Sequence, residues 1–125
     1  MLMSHVLIVE DDGIVAADLE SMLRSAGHTI AGVARTGREA VELAKANMPD
    51  LVLLDVMLAD HISGMEVKLI IERELKRSIC VIFLSAVRLK DYPELQSKIT
   101  DGTFLPKPYT IEALLNCIET VMKSR

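Results

Sequence analysis

Charged and hydroxyl side chains stand at or near the ends of the short apolar segments of this chain. They are Glu10, Asp11 and Asp12 after the first segment, Asp55 after the third, Ser85 after the fourth and Lys107 after the fifth. The second segment is followed by Arg35 and Thr36, which offer no acid. Three or more carboxylates brought together repel one another or take up a proton unless a cation joins them, and one lysine offsets only one. Magnesium suits such a group because it accepts carboxylate and phosphate oxygens together.

Phosphoryl chemistry fits this set of side chains. A carboxylate beside magnesium and an ammonium group can act as a nucleophile toward phosphorus and form an aspartyl phosphate. The transfer needs mainly positioning and charge neutralisation, and Ser85 can donate a hydrogen bond to a phosphoryl oxygen. Asp55 is the strongest candidate because it ends an apolar segment that reads as a buried strand, where an unpaired acid is rare.

Ordinary structural roles remain open for three of these residues taken singly. Asp12, beside Gly13, is most simply the N-cap of the first helix. Ser85 alone is compatible with a turn, and Lys107 alone with a solvated surface charge. Their joint position at the ends of neighbouring strands favours the chemical interpretation.

Short β-branched apolar segments alternate with longer stretches of helical spacing. The predicted strands cover residues 5–9, 29–33, 51–54, 79–84 and 103–105. The predicted helices cover residues 15–26, 37–47, 64–77, a short stretch from about 93 to 100, and 111–121. In the third helix, Glu72 and Lys76 are four residues apart and are predicted to pair. Five β-α units predict an open, doubly wound α/β domain whose parallel sheet is buried between helices.

The composition excludes several classes of protein. The 125 residues amount to one domain, and their formal net charge of −4 argues against nucleic-acid and anionic-membrane binding. Aromatic residues make up only 3%, too few for a base-stacking surface. The start of the chain lacks the features of a secretory signal, and no apolar run is long enough to cross a membrane. Cys80 and Cys117 have no metal-binding spacing and indicate a reduced, cytoplasmic protein.

Four segments resemble the receiver domain of two-component response regulators, the CheY-like family. They are VLIVEDD, PDLVLLDVML, VIFLSA and FLPKPY, and the resemblance covers essentially the whole chain. It implies a flavodoxin-like (βα)5 fold in a single domain spanning residues 1–125. It also implies a five-stranded parallel sheet with the strand order 2-1-3-4-5.

The resemblance assigns a phosphoacceptor and a set of magnesium ligands. Asp55 matches the family's phosphoacceptor. Asp11 matches the direct carboxylate ligand of Mg²⁺, and Glu10 matches the acid that holds the ion through water. Asp55 itself and the backbone carbonyl of Met57 match the remaining protein ligands.

The resemblance also implies which residues bind and report the phosphoryl group. Lys107 matches the lysine that pairs with this group, and the Lys107–Pro108 peptide bond matches one that is usually cis. Ser85 takes the place of the switch hydroxyl, and Phe104 takes that of the switch aromatic. Ala86 is small, as access to the phosphoryl group requires.

The implied function is a phosphorylation switch. A sensor histidine kinase or a histidine phosphotransfer protein donates a phosphoryl group to Asp55, and Ser85 and Phe104 then rearrange. The face formed by the fourth predicted helix, the fifth strand and the last helix changes its affinity for a downstream effector protein. The chain catalyses only its own phosphorylation and dephosphorylation, and a phosphorylation-dependent homodimer is a further option. No direct contact with nucleic acid or membrane is expected.

Three features depart from the family pattern. The loop after Asp55 carries Ala59 where the family usually has proline, and it reaches Gly64 one residue later than usual. Pro93 lies late in the segment before the last strand, which predicts a short or shifted fourth helix and a different output face. Pro106 stands at the end of the fifth strand, where proline is tolerable.

Three alternatives compete with this interpretation. A haloacid-dehalogenase-like phosphatase needs an acid two residues after its nucleophile, where this chain has Met57. A flavodoxin-like cofactor carrier needs a phosphate-binding loop where this chain has three acids, Glu10 to Asp12, which would repel phosphate. The main alternative is an interaction module that works without phosphorylation, and the complete set of acids, hydroxyl and lysine argues against it.

Overall fold

Strands and helices alternate along the part of the chain that this computed structural model describes, residues 3–56, 63–85 and 103–123. The strands are β1 (His5–Val9), β2 (Thr29–Ala34), β3 (Leu51–Asp55), β4 (Cys80–Ser85) and β5 (Thr103–Pro106). The helices are α1 (Gly13–Ser25), α2 (Gly37–Asn47), α3 (Gly64–Leu75) and α4 (Ile111–Lys123). All of these elements lie where the sequence predicts them, and the helix predicted near residues 93–100 falls outside the described residues. None of the described helices has the length and apolar character that a membrane crossing requires.

The five strands run parallel in one sheet, in the order β2-β1-β3-β4-β5. This order confirms the predicted doubly wound, flavodoxin-like fold. Because parallel strands end at the same edge, the residues that follow β1, β3, β4 and β5 meet there. β5 is an edge strand, and Pro106 is exposed at its end, a position that tolerates proline.

Alternate residues of the strands face opposite layers of helices. One set of side chains, including Ile8, Leu53 and Ile82, packs with α1 and α4. The other set, including Val9 and Leu54, packs with α2 and α3. All five side chains are at most 1% exposed, so the sheet is buried on both faces, as its continuous apolar strands predict. This packing fixes the positions of the strand ends, where the charged side chains are attached.

Short polar side chains begin the first three helices. Asp12 Oδ1 accepts hydrogen bonds from the backbone N–H groups of Ile14 and Val15, which confirms Asp12 as the N-cap of α1. Thr36 and Ser63 cap α2 and α3 in the same way. The Asp12 carboxylate is therefore engaged with the helix that follows it.

The end of α3 corrects one prediction from the sequence. Lys76 adopts a left-handed backbone conformation, with φ 56°, and α3 ends at the preceding residue, Leu75. Lys76 therefore does not have the helical geometry relative to Glu72 that the predicted pair requires. Glu72 instead accepts hydrogen bonds from Lys68 Nζ at 3.2 Å and from the backbone N–H of Ile79 at 3.0 Å. The predicted Glu72–Lys76 pair is wrong, and Lys68 takes its place.

A buried histidine lies at the opposite, amino-terminal edge of the sheet. His28 is 6% exposed, and its Nδ1 accepts a hydrogen bond from the backbone N–H of Ser4 at 3.0 Å. Burial lowers the pKa of His28 below its ordinary value of 6.5. The imidazole is therefore held in its neutral form, because Nδ1 must keep its lone pair to accept this bond.

Candidate functional site

Three carboxylates meet at the carboxyl edge of the sheet. Glu10 and Asp11 follow β1, and Asp55 ends the neighbouring β3. One oxygen from each of the three carboxyl groups lies within 4.8 Å of the other two. Glu10 is 2% exposed, while Asp11 and Asp55 are partly buried. The structure thus brings together the three acids that the sequence places at these two strand ends.

Lys107 supplies positive charge to this acidic cluster. Its backbone N–H donates to the carbonyl of Ser85 at 2.8 Å, which anchors the residue just beyond β5 to the end of β4. Its Nζ donates to Glu10 Oε1 at 2.7 Å and to Asp55 Oδ2 at 3.2 Å. One ammonium group therefore bridges two of the three carboxylates, and the cluster keeps an excess of negative charge.

Burial and charge act in opposite directions on Glu10 and Lys107. Burial raises the pKa of Glu10 above 4.5, and the neighbouring Asp11 carboxyl group raises it further. The hydrogen bond from Lys107 lowers this pKa but does not outweigh the burial. Burial alone would lower the pKa of Lys107, but the carboxylates of Glu10 and Asp55 outweigh it and raise that pKa above 10.5. Lys107 is therefore charged at neutral pH.

The backbone of Asp11 is held from the side of β2. Arg35, the first residue after β2, donates from its guanidinium group to the Asp11 carbonyl at 3.2 Å. The Glu10 N–H donates to the carbonyl of Ala34 at 2.9 Å, so the ends of β1 and β2 are tied together. Within residues 3–56, 63–85 and 103–123, no cation forms an ion pair with the Asp11 carboxylate. The sequence places Arg35 after β2, but no residue spacing signals this contact.

The switch residues implied by the family lie on β4, the strand beside β3 and Asp55, and on the edge strand β5. Ser85 ends β4 and is 2% exposed. Phe104 is partly buried on β5, where it pairs in register with Phe83 and packs against the core on the side of α2 and α3. The Lys107–Pro108 peptide bond is cis. These positions are compatible with the roles that the resemblance implies.

Several predicted features fall outside the described residues. They are the carbonyl of Met57, the small side chain of Ala86, the loop position Ala59 and the helix near Pro93. Their roles stay predictions.

Gly64 makes a close contact with the Asp55 peptide that the sequence does not reveal. A Cβ atom at this position would lie 2.5 Å from the carbonyl oxygen of Asp55 and 3.2 Å from Cα of Val56. The Gly64 N–H donates to the carbonyl of Val56 at 2.8 Å. The first residue of α3 therefore presses directly on the peptide that carries Asp55, and only glycine fits there. The sequence shows only that Gly64 comes one residue later in this loop than the glycine that the family usually has.

The chemistry of the donor set fits a hard divalent cation. Its three donors are carboxylate oxygens from two neighbouring strand ends, which is the ligand type that Mg²⁺ prefers. The excess negative charge left by Lys107 also favours a cation there. The cluster of Glu10, Asp11 and Asp55 could therefore hold a metal ion.

Comparison with known proteins identifies the family. The sequence pattern of the response regulator receiver domain matches residues 6–119, and the chain belongs to this family. This confirms the resemblance that the sequence motifs indicate. Receiver domains are signalling modules, and phosphorylation and Mg²⁺ binding are typical of them.

Relatives from three bacteria illustrate the range of proteins that contain such a domain. The transcriptional regulatory protein PdtaR of Mycobacterium tuberculosis is 37% identical over 115 residues, which cover 92% of this chain and 55% of that protein. The phyllosphere-induced regulator PhyR of Methylorubrum extorquens is 40% identical over 93 residues, which cover 73% of this chain and 32% of that protein. The polar-differentiation response regulator DivK of Brucella ovis is 29% identical over 118 residues, which cover 94% of each chain. This chain thus spans about half of PdtaR and a third of PhyR.

Solved structures share the fold. The signal receiver domain of a modulated diguanylate cyclase from Desulfovibrio desulfuricans has a TM-score of 0.83 and 29% identity, with 98% of this chain and 96% of that chain covered. The receiver domain of PhyR from Erythrobacter litoralis has a TM-score of 0.81 and 32% identity, with 97% and 91% covered. The similarity to these two receiver domains covers nearly the whole chain.

Proposed function

We propose that this chain is a phosphoacceptor domain of two-component signal transduction and that Asp55 carries the phosphoryl group. The observation that carries this proposal is the position of Asp55, whose carboxylate contacts Lys107 Nζ at 3.2 Å and faces the acids Glu10 and Asp11. A carboxylate placed between an ammonium group and a metal-binding acid pair can attack phosphorus while the developing charge is neutralised.

The proposed reaction moves one phosphoryl group from a phosphohistidine to Asp55. A carboxylate oxygen of Asp55 forms a bond to phosphorus as the bond from phosphorus to the imidazole nitrogen breaks. The electron pair of the broken bond stays on that nitrogen, which takes up a proton, and the donor histidine leaves as neutral imidazole. Water later cleaves the acyl phosphate to inorganic phosphate and the free carboxylate. The domain changes only itself in this cycle and processes no separate substrate.

The metal ligands in this proposal come from two strand ends. Glu10, Asp11, Asp55 and the backbone carbonyl of Met57 would hold Mg²⁺, directly or through water. The bound ion would neutralise phosphoryl oxygens during transfer. The negative charge that Lys107 leaves on the cluster supports this assignment.

The remaining site residues would bind the phosphoryl group and report it. Lys107 would pair with one of its oxygens from the side of β5, and the Ser85 hydroxyl would donate to another from β4. Ala86 would leave room for the group, and Phe104 would move with Ser85. These small shifts would favour a second conformation of the face that contains β5 and α4.

The partners follow from the reaction class. The phosphohistidine would belong to a sensor histidine kinase or a histidine phosphotransfer protein in the cytoplasm. The output would be the altered affinity of the face around β5 and α4 for a downstream protein or for a second copy of the chain.

An intact-mass measurement tests this proposal. The protein is incubated with Mg²⁺ and phosphoramidate, a small donor with a phosphorus–nitrogen bond like that of phosphohistidine. We expect the wild-type chain to gain the mass of one phosphoryl group and Asp55→Asn to gain none. A parallel sample with excess EDTA in place of Mg²⁺ is expected to gain little. A wild-type chain that gains no mass would contradict the proposal and favour the alternative of an interaction module that works without phosphorylation.

A further inference from the structure

Arg35 joins the acidic cluster to the end of β2 through a single contact. Its guanidinium group donates to the backbone carbonyl of Asp11 at 3.2 Å, and its side chain is exposed to solvent. Asp11 is the one carboxylate of the cluster that forms no ion pair with a described cation, whereas Glu10 and Asp55 share Lys107. The Asp11 carboxylate is thus placed beside two other acids by its backbone, with no described counter-ion of its own.

The start of α2 holds Arg35 in place. The backbone N–H of Arg35 donates to Glu39 Oε1 at 3.3 Å, and the backbone N–H of Glu39 donates to the Thr36 side chain at 3.1 Å. These two bonds form a variant of the capping box, in which the side-chain acceptor reaches the residue before the N-cap. The backbone from which the guanidinium extends is therefore fixed relative to the sheet.

We infer that Arg35 is a positioning residue for the metal-binding cluster, an inference that rests on the proposed function. It holds the Asp11 peptide so that the Asp11 carboxylate stays directed at Glu10 and Asp55. The three carboxylates are therefore already close together, despite their mutual repulsion, before a cation binds. The guanidinium contacts a peptide oxygen, so its effect reaches the cation through Asp11. Arg35 itself is no ligand, and its own positive charge opposes cation binding.

Two effects of opposite sign make this inference testable. Loss of the hydrogen bond should weaken Mg²⁺ binding, while loss of the charge should strengthen it through reduced repulsion. Repulsion across solvent is screened at high salt, because the Debye length falls to about 4 Å near 0.5 M. The hydrogen bond is local and is screened much less. A titration at high salt therefore isolates the positioning effect.

The experiment measures the Kd for Mg²⁺ by isothermal titration calorimetry in about 0.5 M potassium chloride. Arg35→Met is expected to raise the Kd about three- to tenfold, somewhat less than the usual effect of residues that orient metal ligands, because Arg35 is exposed. Arg35→Lys should recover part of the loss, because it keeps a donor. Arg24→Met removes an exposed arginine that pairs with Glu20 near the far end of α1, and it should leave the Kd unchanged.

Other results would overturn the inference. A Kd for Arg35→Met at high salt that equals the wild-type or the Arg24→Met value would show that Arg35 acts only through its charge or not at all. Equal losses of Mg²⁺ affinity in Arg35→Lys and Arg35→Met would also contradict a positioning role for the donor. Melting temperatures in EDTA check that both methionine variants fold. If the wild-type chain binds no Mg²⁺, the proposed function fails together with the inference. If it binds Mg²⁺ and Arg35→Met binds equally well, the inference alone fails.

Discussion

The contact between Gly64 and the Asp55 peptide shows how closely α3 constrains the position of Asp55. The backbone at Gly64 does not need a left-handed conformation, since its φ is not among the positive values. Glycine is required for space, because a Cβ atom would lie 2.5 Å from the Asp55 carbonyl oxygen. A larger residue must push that peptide away, and the Asp55 side chain would move with it.

We therefore predict that Gly64→Ala impairs both stability and phosphorylation. The free energy of unfolding should fall by about 1–3 kcal/mol, as for other overpacked sites, and phosphoryl uptake from phosphoramidate should slow. Chemical denaturation and the intact-mass time course measure the two effects. Gly13→Ala is the matched control, because no heavy atom lies within 4 Å of a Cβ placed there. Equal behaviour of the two variants would contradict the steric account.

His28 makes a pH-dependent contribution to stability. Burial lowers its pKa below 6.5, so on acidification the unfolded chain binds a proton before the folded chain does. The free energy of unfolding should therefore fall as the pH drops from about 7 to 5. Above pH 7 the contribution of His28 to stability should be fully present. His28→Asn keeps an acceptor near the position of Nδ1 and does not titrate. Its stability should depend less steeply on pH in urea denaturation, and equal slopes would contradict this account.

At the scale of elements, the start of α1 separates a helix-capping acid, Asp12, from an acid of the proposed metal-binding cluster, Asp11. Asp12 caps the helix through two hydrogen bonds, while Asp11 belongs to the carboxylate cluster. We predict that Asp12→Ala lowers the free energy of unfolding by about 1 kcal/mol and leaves Mg²⁺ binding in place. Asp11→Asn should have the opposite pattern: it should abolish Mg²⁺ binding and change the free energy of unfolding in EDTA only a little. Loss of Mg²⁺ binding in Asp12→Ala would contradict the division.

The elements themselves were predictable because their signals are local. Apolar β-branched runs and helical spacing predict all the described strands and helices, and Asp12 beside Gly13 predicts the first cap. The pair of Glu72 and Lys76 was predicted wrongly, because helical spacing alone does not show that Lys76 leaves the helix. The contacts of Arg35 and Gly64 could not be predicted. The first joins residues 24 positions apart through a long side chain, and the second is a close approach of two backbone segments that no residue spacing encodes.

At the scale of the whole molecule, the parallel sheet concentrates charge at one edge. The strand order places β1 beside β3, so that acids distant in sequence face one another, and Lys107 reaches them from the edge strand. Folding must hold these carboxylates together against their repulsion. A bound cation therefore stabilises the folded chain over the unfolded one, in which the acids are apart.

We predict that Mg²⁺ raises the unfolding temperature of the wild-type chain. At a hundredfold excess over Kd the stabilisation should be about 2.7 kcal/mol, if the unfolded chain does not bind the ion. Thermal unfolding in Mg²⁺ is compared with unfolding in sodium chloride of the same ionic strength. Asp11→Asn should show a much smaller Mg²⁺-dependent rise. An equal rise in both proteins would mean that the ion binds elsewhere.

Chemical mapping of the acyl phosphate tests most directly whether Asp55 carries the phosphoryl group. The phosphorylated protein is reduced with borohydride, which converts an aspartyl phosphate to homoserine, and is then digested and sequenced by mass spectrometry. We predict homoserine at position 55 and at no other aspartate. Homoserine at Asp11 or Asp12, or none at all in protein that has gained the phosphoryl mass, would contradict the claim.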